Sequence, residues 1–140
     1  MRLIRGTVIV VVALAGVGFL APSVQASPRQ DVAFVANCYR QYLQRDPEPG
    51  GLRGWVDQLR GGASRDQVRA GILASDEYYT LQGNSDRDFV IGLYKDLLGR
   101  DAARSEVDGW VQAIQEHGGD RRDVTSDFVI GAREELRRRP

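Results

Sequence analysis

The sequence predicts an all-α fold, a compact bundle of two tandem helical repeats of about 55 residues, and three observations carry that prediction. The phrase Leu52-Arg53-Gly54-Trp55-Val56 returns as Val107-Asp108-Gly109-Trp110-Val111, and the two copies hold the chain's two tryptophans. The spacing of 55 residues is kept elsewhere, between Arg45-Asp46 and Arg100-Asp101 and between Phe34 and Phe89, which is the mark of an internal duplication. Beyond residue 26 no stretch alternates apolar and polar residues long enough to read as a strand, whereas apolar residues recur at three- and four-residue spacing.

Residues 1–26 are set apart from the fold. Arg2 and Arg5 precede the apolar run Val8–Ala21, and Val24-Gln25-Ala26 places small residues where a signal peptidase cuts, the three-part pattern of a cleaved secretory signal. The run is 14 residues long and ends at Pro22, short of the roughly 18 to 20 that a membrane-spanning helix needs. The expected product is an exported chain, with no membrane attachment after cleavage. Residues 27–84 then form repeat one and residues 85–140 repeat two of one compact domain.

From residue 27 onward there are 17 basic and 19 acidic residues, a formal charge of −2. That balance gives no basic face for a nucleic-acid backbone, and Arg137-Arg138-Arg139 sits where a helix C-terminus favours cations. Cys38 is the chain's single cysteine, so no disulfide within the chain is possible; its counterpart in the second repeat is Leu93, which makes it a small apolar core residue.

Each element follows from local pattern. Ser27-Pro28-Arg29-Gln30 is a capping box with Pro at the first helical position, and Val35, Cys38, Tyr39, Tyr42 and Leu43 make one apolar stripe behind it. Asp46-Pro47-Glu48-Pro49-Gly50-Gly51 turns the chain. The helical pattern resumes at Leu52 with Trp55, Val56 and Leu59 and stops at Gly61-Gly62. Ser64 to Gln67 caps a third helix with Val68, Ile72 and Leu73 on its inner face, and Ser75-Asp76-Glu77 opens a short fourth helix carrying Tyr78, Tyr79 and Leu81.

In the second copy Val90, Leu93, Tyr94, Leu97 and Leu98 repeat the first stripe before Gly99. Ser105-Glu106-Val107-Asp108 caps a helix with Val107, Trp110, Val111 and Ile114 inward, ending near His117-Gly118-Gly119. The offset then grows to 56, pairing Val124, Phe128 and Val129 with Val68, Ile72 and Leu73, a one-residue insertion in a turn. The fourth-helix match fails, since Tyr78 faces Glu134.

The run Phe89-Val90-Ile91-Gly92-Leu93-Tyr94-Lys95-Asp96-Leu97-Leu98-Gly99-Arg100, followed by a Gly-Trp-Val helix, resembles the bacterial domain-of-unknown-function family 4214, and Phe34 to Tyr79 resembles it again. The resemblance covers about 100 residues and implies a helical module of exported or surface-associated bacterial proteins, sometimes beside calcium-binding repeats and distantly similar to phycobilisome linker domains. The family carries no assigned catalytic residues, so none transfers. Where the first copy has Pro47-Glu48-Pro49, the second has Ala102-Ala103-Arg104.

The candidate residues divide into core, clasp and surface. Tyr39, Trp55, Val56, Tyr94, Trp110 and Val111 lie in helical stripes and are assigned to the core, the tryptophans in preference to an exposed sugar platform. Arg45 and Arg100 follow the first helix of each copy and are assigned as structural clasps to helix ends and neighbouring helices. Tyr78 and Tyr79, without counterparts in the second copy, are the expected exposed contact surface. Asp46, Glu48, Asp101, Glu106 and Asp108 show neither the paired carboxylates of a glycosidase nor the dense oxygen ligands of a calcium loop, and His117 has no partner nucleophile. The expectation is therefore a non-enzymatic module without cofactor or metal, binding a protein or envelope polymer outside the cytoplasm. The alternative is a small exported hydrolase of cell-wall glycan or peptide using Glu48 or Glu106.

Overall fold

A computed structural model describes residues 27–140; the expected signal segment lies outside the described residues. The fold is all-α. Its elements are α1 (Pro28–Cys38), a π-helical turn (Tyr39–Leu43), α2 (Pro49–Arg60), α3 (Arg65–Leu73), α4 (Asp76–Leu81), α5 (Asp86–Leu93), a second π-helical turn (Tyr94–Leu98), α6 (Arg104–Glu116) and α7 (Arg121–Arg138).

The helix starts are set by short polar side chains. Ser64, Ser75 and Ser85 each accept a backbone N–H from the first turn of α3, α4 and α5, and Gln30 reaches back to the N–H of Ser27 at 3.0 Å. Two starts differ from the sequence reading. Helix α2 begins at Pro49 and not at Leu52, because Pro suits the first helical position and the two glycines that follow it join the first turn. Helix α6 begins at Arg104 with Ala103 as its cap, so Ser105 lies inside the helix.

The first apolar stripe is buried in both copies, Leu97 only partly, but its last turn widens to π geometry before Gln44 and Gly99, which both adopt left-handed φ (55° and 62°). Glycine takes that conformation freely, whereas Gln44 takes it against the usual steric preference. The turn delivers Arg45 and Arg100 to the start of the next helix.

One core runs through the molecule, with Val35, Val68, Leu73, Phe89, Leu93 and Ile114 among its fully covered residues. Within each copy the first helix packs on the second, α1 on α2 and α5 on α6. The copies meet chiefly through α3 and α7, which are the equivalent helices of the two units. When two units bury the same element against each other, that element is used up on both sides, so the pair closes and does not extend as a stacked array does.

The second copy departs from the first where the sequence match fails. In the first, α3 ends at Leu73, Ala74 caps it and Ser75 starts α4. In the second, the aligned residues Ile130 and Gly131 stay helical and α7 runs unbroken to Arg138, 18 residues in all.

Candidate functional site

Two nearly identical clusters are built at the helix mouths. In the first, the Trp55 indole N–H donates to the Tyr39 hydroxyl at 3.2 Å, and the Arg45 guanidinium lies 5.0 Å from the Tyr39 ring centre. Arg45 donates to Glu48 at 2.6 Å and to both oxygens of Glu77 at 2.5 and 2.7 Å. In the second, Trp110 donates to Tyr94 at 3.1 Å, and Arg100 sits 4.7 Å over the Tyr94 ring. Arg100 bridges Glu106 and Glu135 through four bonds of 2.8 to 3.0 Å. Arg45 and Arg100 thus tie the end of one helix to the start of the next and to a third helix, α4 or α7.

The electrostatics follow from these bonds. Arg100 first, and then the backbone N–H of Ala103, hold Glu106 down to about 2; Arg100 and then Arg139 do the same for Glu135. Glu48 and Glu77 are also lowered, by Arg45 first. Carboxylates so paired stay ionised at neutral pH and accept hydrogen bonds; they do not donate protons.

The assigned core residues are not equally deep. Tyr39, Val56 and Tyr94 are buried, whereas Trp55, Trp110 and Val111 are half-buried against the core. Trp110 is covered by the Phe128 ring at 5.1 Å. Ile72 stands at the aligned position in the first copy, and the six-membered ring of Trp55 lies instead over Gly71, where an added Cβ would fall 2.6 Å from Trp55 Cη2.

Tyr78 corrects the sequence reading. It is fully buried, its ring meets Phe89 edge-on at 5.8 Å, and its hydroxyl donates to Asp96 at 2.7 Å. It cannot serve as an exposed contact, because α4 folds back so that Tyr78 plugs the seam against the second copy's π-helical turn. Tyr79 is half-buried: it tilts on Phe89 and the Arg121 guanidinium covers its ring at 4.0 Å.

The break between α3 and α4 leaves a groove of about 750 Å³ beside the start of α7. Trp55, Gln58, Gln67 and Gly71 line it from α2 and α3, and Arg121 and Arg122 from α7. Sequence reasoning missed it, since it arises from residues far apart in the chain. The one signal was the loss of register after residue 74, which marks where the units stop matching. Among the described residues there is no cluster of three or more His, Cys, Asp or Glu able to hold a metal ion, and no helix long and apolar enough to cross a membrane.

No curated protein and no solved structure matches the chain. The model of one family, described as Domain of unknown function (DUF4214), matches it twice, at residues 23–82 and 71–134. Between them the two matches take in both Tyr–Trp–Arg clusters and every described helix except the last four residues of α7, and the chain belongs to the DUF4214 family.

Proposed function

We propose that this chain is an exported, non-enzymatic helical module that binds or scaffolds another macromolecule at the bacterial cell envelope. The observation that carries the reading is the state of Glu48 and Glu106, the carboxylates that a hydrolase would have to use. Each is held by an arginine, and Glu106 also accepts the N–H of Ala103 at 2.8 Å. A general acid needs a carboxyl raised towards neutral pH, and these are lowered, which supports a structural use for both. Export rests on the pattern of residues 1–26.

The test is a pull-down from native envelopes with the exported chain as bait, beside assays of glycan and peptide hydrolysis. A specific, saturable envelope partner and no turnover is the expected result. Turnover abolished by Glu106→Gln, with no partner retained, would establish the hydrolase instead. Mass spectrometry of the protein recovered outside the cytoplasm should find Ser27 as its first residue, and an intact N-terminus in the membrane fraction would mean that residues 1–26 are an uncleaved membrane anchor and not a cleaved signal.

A further inference from the structure

We infer that the groove beside Trp55 is a binding site for a neutral glycan chain; this deepens the proposed function, on which it rests, by naming the chemistry of the partner. Two equivalent residues differ. Trp55 and Trp110 make the same bond to a tyrosine hydroxyl, so both indole nitrogens are satisfied within their own copy. Trp110, also half-buried, packs against the Phe128 ring, while Trp55 lies over Gly71 and lines the groove together with it. With its one polar atom already bonded, Trp55 offers the groove carbon surface alone, the partner that the C–H face of a sugar ring requires.

The polar lining of the groove is balanced in charge. Two cations, Arg121 and Arg122, are matched by two carboxylates, Asp76 and Asp120, and the amides of Gln58 and Gln67 stand among them. A hydroxyl both donates and accepts, so a ligand with many hydroxyls can use donors and acceptors that are interleaved in this way. A polyanion would meet Asp76, whose side chain is 97% exposed, and an apolar peptide would find few apolar walls.

The groove also holds unused hydrogen-bonding capacity. The side chains of Gln58 and Arg122 are exposed and make no hydrogen bond or ion pair among the described residues. Arg121, by contrast, is fixed, stacked on Tyr79 and paired with Asp76 at 2.6 Å, so one wall of the groove is held in place before a ligand arrives. The volume lies within the roughly 300 to 1,000 Å³ of small-ligand sites, enough for a short run of sugar rings.

The experiment titrates the ¹⁵N-labelled exported chain with neutral hexasaccharides of β-linked glucose and of β-linked N-acetylglucosamine. The two indole N–H signals are assigned with Trp110→Phe. The Trp55 signal should shift saturably, with a dissociation constant of about 1 mM or tighter, while the Trp110 signal stays still. Gln58→Ala and Arg122→Ala, both at exposed positions, should keep the melting midpoint and each weaken binding about five- to tenfold. The assignment is overturned if neither sugar moves Trp55 at about 10 mM, if both indoles move alike, if both variants bind as the parent does, or if an oligogalacturonate binds more tightly than either neutral sugar. Failure of the sugars alongside capture of a protein partner from the envelope would remove the glycan assignment and leave the proposed function standing; failure of both would remove both.

Discussion

Tyr78 offers the sharpest quantitative test of the fold. Its side chain is fully covered, packs edge-on against Phe89 and donates to the half-buried Asp96 at 2.7 Å, and burial first, then that carboxylate, raises the phenol well above its ordinary range. Tyr78→Ala removes a buried ring from a close-packed seam and should cost about 3 to 5 kcal/mol, the cost of deleting a large aromatic side chain from a core. Against a total of about 5 to 15 kcal/mol, that brings the domain near the edge of stability. A chain of this size loses roughly 4 °C per kcal/mol, so the midpoint should fall by roughly 12 to 20 °C. Tyr78→Phe keeps the ring and removes only the bond to Asp96, for about 1 to 2 kcal/mol, less than for a fully buried acceptor because water can reach the carboxylate. Thermal and urea melts followed by circular dichroism give both values, and a cycle with Asp96→Ala should return a coupling of about 1 kcal/mol or more. If Tyr78→Ala melts within about 2 °C of the parent, the ring does not fill the seam and the packing of α4 described above is wrong.

The acid limb of stability should report the second clasp. Glu106 and Glu135 have folded pKa values of about 2 against an ordinary 4.5, so their contribution is complete above that ordinary value and is lost as pH falls from about 4.5 towards 2. The melting midpoint should drop across this window, and Arg100→Gln should flatten the drop; a parent profile that is level from pH 5 to 2 would contradict the assignment. The two tryptophans should differ despite their shared register. Trp110→Ala loses the Phe128 contact as well as the Tyr94 bond, so it should cost about 1 kcal/mol more than Trp55→Ala, and equal costs in urea melts would mean that Trp55 is as well covered as Trp110.

Much of this architecture is legible in the sequence because it rests on local rules. The stripe from Val35 to Leu43 and its copy from Val90 to Leu98 declare a buried helical face by spacing alone, and Ser64, Ser75 and Ser85 announce helix starts by their chemistry. What the residues hide is set by tertiary contact. Lack of a counterpart made Tyr78 look like a surface residue, yet residues without counterparts are the ones that fill the seam where two unequal units meet. The sequence aligns Tyr79 with Glu135, but the clasps pair Glu77 with Glu135 as the far partners of Arg45 and Arg100, because a broken α4 and a continuous α7 bring different positions to the same place. The π-helical turns add a residue to a stripe that still reads as α-helical, so spacing cannot reveal them. The groove is marked only by the loss of register after residue 74, being the space left where α3 stops and its equivalent does not.

The near partner of each arginine shows how the copies diverged while keeping one electrostatic arrangement. Glu48 is the N-cap of α2, and the aligned cap of α6 is Ala103; Glu106 is the third residue of α6, and the aligned residue of α2 is Gly51. The carboxylate that meets the arginine therefore comes from the cap in one copy and from the third helical position in the other. The reason Gly51 is glycine is visible in the first copy: a Cβ there would collide with Glu48 Oε1 and lie 2.7 Å from the Tyr39 hydroxyl. The two solutions exclude each other within one copy, which makes a definite prediction. Gly51→Glu alone should lower the melting midpoint, because two side chains compete for the space beside Arg45. Glu48→Ala alone should lower it by removing one of the two carboxylates that Arg45 holds. The double variant Glu48→Ala with Gly51→Glu removes the collision with Glu48, requires the Tyr39 hydroxyl to give way to the new Cβ, and then rebuilds the second copy's arrangement, with a glutamate that can also reach back to the cap N–H as Glu106 does to Ala103 and a better helix former in place of a helical glycine. It should melt above both single variants. A double variant no more stable than the sum of the two losses would mean that the clasps are not interchangeable, and that the resemblance between the two clusters is one of composition and not of shared construction.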